Sequence, residues 1–355
     1  MAVTRLSAIV LACCLIVASC GSTTSTEFER TEPTRTQSDG LTTADGYLTR
    51  LWADGFDRPT QMVFAPNGDL VIAELGGGEN EGVGHILRVA GNDLGDRTVL
   101  QQELDKPTGI AITGDLLWIM ERDRLSVTTL EPGAVRTIVA ADLPSNGRSE
   151  GTLTVTPDGQ LLYDTSGSKR GPDRVAGSGT LFGISDAAQG PQAPVVIATG
   201  FKHAYAHVVD RDGQLWSVEM TDGNFDGQRA SDELVSIRPG DDAGWPQCVD
   251  DNRPVIEYGG SAELCAASPR SHALFGPGAT PTSIVVAPWD PDTFIVTLWL
   301  TGQVVSIPRV EPANEPHTPR LFLDGITSPQ HLLVDGDGVL VSDHETGQIF
   351  RITAG

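Results

Sequence analysis

The sequence predicts an all-β fold, a six-bladed β-propeller preceded by a lipoprotein signal peptide and a flexible tether. Three observations carry that expectation. Gly 40 and Pro 23 in 355 residues, with few apolar runs of helical period, describe a chain dense in turns. Short alternating apolar segments flank Asp-Gly punctuation, the pattern of antiparallel strands joined by tight turns. One such unit recurs six times, and a repeat of three or four short strands is the signature of a propeller blade. A β-sandwich would not call for six copies of one unit.

The chain opens with Arg5 and the short apolar run Leu6 to Val17, a targeting signal too short to span a bilayer. It ends Val17-Ala18-Ser19-Cys20, which resembles the bacterial lipobox, so residues 1–20 read as a lipoprotein signal with Cys20 as the lipid-modified residue. Residues 21–45 are Ser/Thr-rich without apolar period and read as a disordered tether. Export and a lipid anchor on the extracytoplasmic face of a bacterial membrane follow as expectations. Besides Cys20, only Cys248 and Cys265 follow the signal, and an exported compartment permits them to pair as a disulfide.

The propeller is expected over 46–355, in six units. GFDRPTQMVFAPNGDLVIAE with GHILRV is the first, and DKPTGIAITGDLLWIME with RLSVTTL the second. SEGTLTVTPDGQLLYDT with SGTLFGI is the third, and the stretch from Gly200 to Pro246 opens the fourth. TPTSIVVAPWDPDTFIVTL with GQVVSIPRV and SPQHLLVDGDGVLVSD with GQIFRI complete the set. The strand Tyr47–Ala53 is expected to join the last blade and latch the ring.

A hydrophobic content of 39% is ample for a core, and a formal net charge of -23 repels nucleic acid and anionic membrane. Contact with a membrane is expected through the anchor alone. No G-x-S-x-G, H-E-x-x-H, P-loop or C-x-x-C motif is present. The candidates are therefore residues that start the inner strands at one mouth of the channel: Arg148, Lys202, His203, Thr301 and Gln330.

The motifs G-F-K-H, D-G-x-L-W-x-x-E, D-E-L-x-x-I-x-P-G and G-W-P between Gly200 and Pro246 resemble the glucose/sorbosone dehydrogenase family. GWPQC and SPRSHALFGPGATPTSI extend the resemblance, which runs from about Leu48 to the C-terminus. It implies a soluble quinoprotein fold that oxidises an aldose with pyrroloquinoline quinone (PQQ) and calcium. The family's catalytic His falls on Arg148, which stays protonated and cannot act as a base; Glu150 lies two residues on as a substitute. The family's cationic grip on the quinone falls on Lys202-His203, Thr301, Ser328 and Gln330, so three cations are replaced. Each charge-assisted contact is worth roughly 1.5–3 kcal/mol. The calcium positions fall on Asp232 and Glu233, with Asp250 nearby, and Asp222, Asn224 and Asp226 alternate in the preceding loop.

His203 is expected at the channel mouth, His207 and His331 packed inside the ring, and His344 in a solvated turn. The resemblance implies a sugar dehydrogenase-like lipoprotein. The substitutions favour an alternative, a non-catalytic envelope propeller that binds a small-molecule sugar, a glycan or a protein partner. A third class, a metal-dependent hydrolase or lactonase, has Glu74, Glu150 and Glu219 as its only hints.

Overall fold

The computed structural model describes residues 34–35, 40–77, 83–91, 93–145, 150–167, 175–221 and 223–355. Six antiparallel sheets of four or more strands dominate it. Their innermost strands are Pro59–Phe64, Gly109–Thr113, Thr154–Val155, Ala206–Val209, Pro281–Ala287 and Pro329–Asp335. Each touches the next in chain order, and the sixth touches the first. The expected six-bladed propeller is the fold, with blades 1 to 6 numbered in that order.

A blade wedged between two neighbours buries both faces, and the sequence meets that demand by alternation. In blade 1 the whole of Leu70–Glu74 is buried. Val71 and Ala73 pack with Ile110, Leu117 and Ile119 of blade 2, whereas Leu70 and Ile72 join Leu340 and Ile349 of blade 6. Successive strand residues point to opposite faces, so one run of apolar residues serves two interfaces. Every junction between adjacent blades holds such a cluster. Each fully buried Val, Leu, Ile or Phe contributes about 1.5–3 kcal/mol.

Asp-Gly turns set the hairpins. In blade 3 the Gly159 N–H donates to the Thr156 carbonyl at 2.9 Å, with Gly159 at φ 85°. A residue without a Cβ takes that conformation at no steric cost.

The ring closes as expected: Tyr47–Ala53 pairs antiparallel with Gln348–Ala354, from Tyr47 opposite Ala354 to Ala53 opposite Ile349. The folded part begins earlier than residue 46, however. Thr42 and Thr43 pair with Asp324 and Leu323 at the outer edge of blade 5, and Leu41, Thr43 and Ala44 are buried. Two apolar residues in a polar run suffice here because the edge strand of blade 5 offers unpaired backbone groups. The signal and Cys20 lie outside the described residues.

Blade 4 carries two insertions that form a cap with its own apolar cluster of Phe225, Ala230, Trp245, Val249 and Val255. The Cys248–Cys265 disulfide closes one of them, with Cα atoms 5.6 Å apart. Asp226 ties the two together: its carboxylate accepts the Ile256 N–H at 2.7 Å and the Glu257 N–H at 2.9 Å. Asp226 thus serves as a loop clasp; Asp222 lies outside the described residues.

Candidate functional site

At one mouth of the channel, the loop entering each inner strand meets the end of the second strand of the same blade. Glu74, Glu219 and Asp343 close their second strands, and Glu121 directly follows one. All four are buried. Each accepts a backbone N–H from the entering loop: Asp57 on Glu74, Asp105 on Glu121, Lys202 on Glu219, and Thr327 with Ser328 on Asp343. Blade 3 departs from this pattern. Its second strand, Leu161–Thr165, carries its carboxylate Asp164 one residue before the end, on the opposite face.

The mouth opens into a cavity of about 250 Å³ lined by Thr60, Thr108, Tyr205, Thr280, Thr282 and Gln330. Leu75, Met220, Trp299, Leu300 and His344 complete its wall. None of these side chains carries a fixed charge. The Gln330 amide donates to the Tyr205 hydroxyl at 2.8 Å across the mouth. The Thr108 hydroxyl and the Trp299 indole N–H are buried and have no hydrogen-bond partner among the described residues. Leaving such a group buried and unsatisfied costs about 1–3 kcal/mol.

Gln330 is the sequence candidate that lines the cavity. Lys202 does not: its ammonium donates to the Gly167 carbonyl at 3.3 Å and lies 5.2 Å from the Trp245 ring centre. His203 sits beneath Tyr205, rings edge to face at 5.1 Å, with Nε2 3.5 Å from Asp164 Oδ2. Thr301 is exposed in a turn, its hydroxyl donating to the Leu298 carbonyl at 3.3 Å. Ser328 is half-buried, and its backbone joins Asp343 and His344. Both belong to turn scaffolding: the Thr301 hydroxyl bonds the backbone of its own turn, and Ser328 contributes backbone groups. Arg148 lies outside the described residues.

Glu150 is fully buried, where Ser166 donates to it through N–H at 2.8 Å and hydroxyl at 3.1 Å. Burial pushes its carboxyl up to about 8, against the pull of those donors and of Lys202. Asp164 is raised well above the usual carboxylate range by burial and by the Glu150 charge. Glu219 is raised to about 8 by burial, with the Asp232 charge adding to it. Like charges removed from water favour the protonated form.

The expected calcium set does not converge. Asp232 turns its oxygens to the Thr221 N–H at 2.8 Å and the Thr280 N–H at 2.7 Å. Glu233 accepts the Ser271 hydroxyl, and Asp250 pairs with Arg253 at 2.6 Å. Consecutive strand residues face opposite sides, so an Asp-Glu pair cannot aim both carboxylates at one ion without a turn between them. Glu74, Glu150 and Glu219 likewise stay apart. Among the described residues the one cluster whose ligand atoms converge is Glu150, Asp164 and His203, all within 4.8 Å.

His207 and His331 are buried as expected, with imidazoles lowered to about 4 and about 3 by burial. His344 is not solvated. It is 7% exposed, lines the cavity, and approaches the Pro59 carbonyl at 3.4 Å. The turn folds inward because Asp343 accepts the backbone N–H groups that follow it, at Glu345 and Thr346. Sequence reasoning also missed Tyr205, Thr108 and Trp299. Their shared signal is position, at the start of an inner strand or just past a second strand.

No protein-family model matches the chain, and no curated protein matches it in sequence. Solved structures do match. A Trichoderma reesei carbohydrate-active enzyme of family AA12, in its iodide structure, superposes with TM-score 0.75 at 17% identity, covering 92% of this chain and 98% of that one. The PQQ domain of pyranose dehydrogenase from Coprinopsis cinerea gives 0.70 at 15%, over 88% and 97%. PQQ-bound aldose sugar dehydrogenase from Streptomyces coelicolor gives 0.66 at 19%, over 88% and 99%. Likeness at this identity establishes a common fold, the one the sequence resemblance implied.

Proposed function

We propose that this chain is a sugar dehydrogenase-like propeller that binds a neutral saccharide at the channel mouth. The observation that carries the reading is the uncharged cavity walled by the hydroxyls of Thr60, Thr108, Tyr205, Thr280 and Thr282, the Gln330 amide and the Trp299 indole. Hydroxyl, amide and indole groups around an apolar wall match a polyol, which presents donors and acceptors on one side and C–H faces on the other. An aromatic such as Trp299 supplies area for the sugar face. Solved neighbours that act on pyranoses or aldoses support the substrate class.

A second reading is PQQ- and calcium-dependent oxidation of an aldose, favoured by neighbours described with PQQ and with calcium. The described residues do not fit the quinone. PQQ is a tricarboxylate, and no cationic side chain lines the cavity among the described residues. Lys202, the cation kept from the family pattern, is engaged with Gly167 and Trp245. A trianion would be desolvated there with no charge-assisted partner among the described residues. We therefore derive no redox step. The localisation that accompanies the binding reading is an exported lipoprotein anchored through Cys20, whose partner is an envelope glycan or small sugar.

Calorimetric titration of the full chain with neutral mono- and oligosaccharides, and separately with PQQ plus calcium, tests both readings. The expected result is saccharide binding weakened at least tenfold by Trp299→Ala, with no heat from PQQ. Tight PQQ binding without saccharide binding would overturn the proposal in favour of the dehydrogenase.

A further inference from the structure

Asp164 is 1% exposed, and its Oδ2 accepts no hydrogen bond from any described residue. Its Oδ1 accepts the Gly151 N–H at 3.1 Å. The carboxylates at the mouths of blades 1 and 2 also use one oxygen for a backbone N–H. Their second oxygen, however, meets a basic side chain: His85 Nε2 on Glu74 and Arg136 on Glu121, each at 2.5 Å. In blade 3 the second oxygen faces His203 at 3.5 Å and the buried carboxylate of Glu150. Lys202 supplies one positive charge towards Glu150. With both carboxylates ionised, the cluster carries one negative charge out of water that no described residue compensates, an arrangement that favours a bound cation.

We propose that Glu150, Asp164 and His203 form a binding site for one first-row transition-metal dication, with Zn²⁺ the best match. Calcium and magnesium take oxygen ligands, whereas an imidazole beside two carboxylates suits zinc and its neighbours. On a tetrahedral ion with bonds near 2 Å, two ligand atoms lie about 3.3 Å apart. The Asp164–His203 separation of 3.5 Å is already close to that value. Three protein ligands leave a fourth position for water, as in open zinc sites. The ligands come from the loop entering blade 3, the second strand of blade 3 and the loop entering blade 4. The ion therefore clamps two blades at the mouth, behind Tyr205 and the cavity. This inference does not rest on the saccharide reading.

Titrating ZnCl₂ calorimetrically into the untagged full chain, after dialysis against chelator, tests it. One ion per chain is expected with a dissociation constant in the micromolar range or below, accompanied by a rise in Tm. Asp164→Asn and His203→Gln each weaken binding at least tenfold, whereas Asp250→Asn, in the acidic loop outside the cluster, leaves it unchanged. Substitution with Co²⁺ produces visible absorption of a low-coordinate N/O site in the wild type, lost in His203→Gln. Wild-type protein that binds neither Zn²⁺ nor Co²⁺ overturns the proposal whatever the variants do. A folded Asp164→Asn protein that loses less than tenfold in affinity overturns it equally.

Discussion

The carboxylates of blades 1, 2 and 6 and those of blades 3 and 4 are all buried, yet they live in opposite electrostatic settings. Glu74, Glu121 and Asp343 are 1–2% exposed and are met by His85, by Arg136 and by a fan of backbone N–H groups respectively. Asp164, Glu219 and Glu233 are also buried, at 1–6% exposed, but each faces another carboxylate. Burial alone thus does not separate scaffold from site. The partner does: an acid with a built-in counter-charge is a structural clasp, and an acid set against another acid is poised to hold a proton or a cation.

The comparison breaks most visibly at blade 2. Arg136→Met leaves Glu121 buried without its cation, and removing one partner of a buried pair costs about 3–5 kcal/mol. Because Arg136 is itself partly exposed, a loss near the lower end is expected, read from the urea midpoint. A change within experimental scatter would mean that solvent already satisfies Glu121.

Glu233→Gln should act in the opposite sense. Burial, and then the Glu219 charge, raises the Glu233 carboxyl in the folded state. The folded protein therefore holds a proton that the unfolded chain releases, and stability falls as pH rises above the ordinary Glu value of about 4.3. Neutralising the group removes that loss. The variant is expected to melt higher than wild type at pH 8, by an amount equivalent to about 1 kcal/mol or more, with the difference closing towards pH 4. A lower melting temperature at pH 8 would show that Glu233 is ionised and balanced.

The smallest effect at neutral pH belongs to His331, which is buried as a neutral ring. Its imidazole is lowered to about 3, so between pH 6.5 and 3 the unfolded chain takes up a proton that the folded one refuses. Stability falls through that window as pH drops. His331→Gln is expected to flatten part of the fall in Tm below pH 6.5 while changing little at pH 8. An acid limb with the same slope in both proteins would place the proton elsewhere.

Much of the architecture was legible in the residues. Six copies of one strand-turn-strand unit, an N-terminal strand at Tyr47–Ala53 and two cysteines after the signal predicted the ring, its closure and the disulfide, and all three are present. The burial of His207 and His331 followed from their place on inner strands. The site was legible only in its location. Gln330 was found because it starts an inner strand, but the Thr301 hydroxyl is spent on the Leu298 carbonyl of its own turn and the Ser328 N–H on Asp343.

What the sequence by itself determined is everything governed by neighbours a few residues apart: the period-2 alternation, the Asp-Gly turns, the repeat and hence the number of blades. Those signals are local because a strand's two faces and a turn's backbone angles are set within four or five residues. Only the tertiary structure decided the chemistry of the mouth. Tyr205 meets Gln330 across 125 residues, and Asp164 comes to face His203 from a different blade. Whether a buried acid finds a base, a backbone N–H or another acid depends on how the ring closes, since the charge that decides its state is supplied by a distant part of the chain.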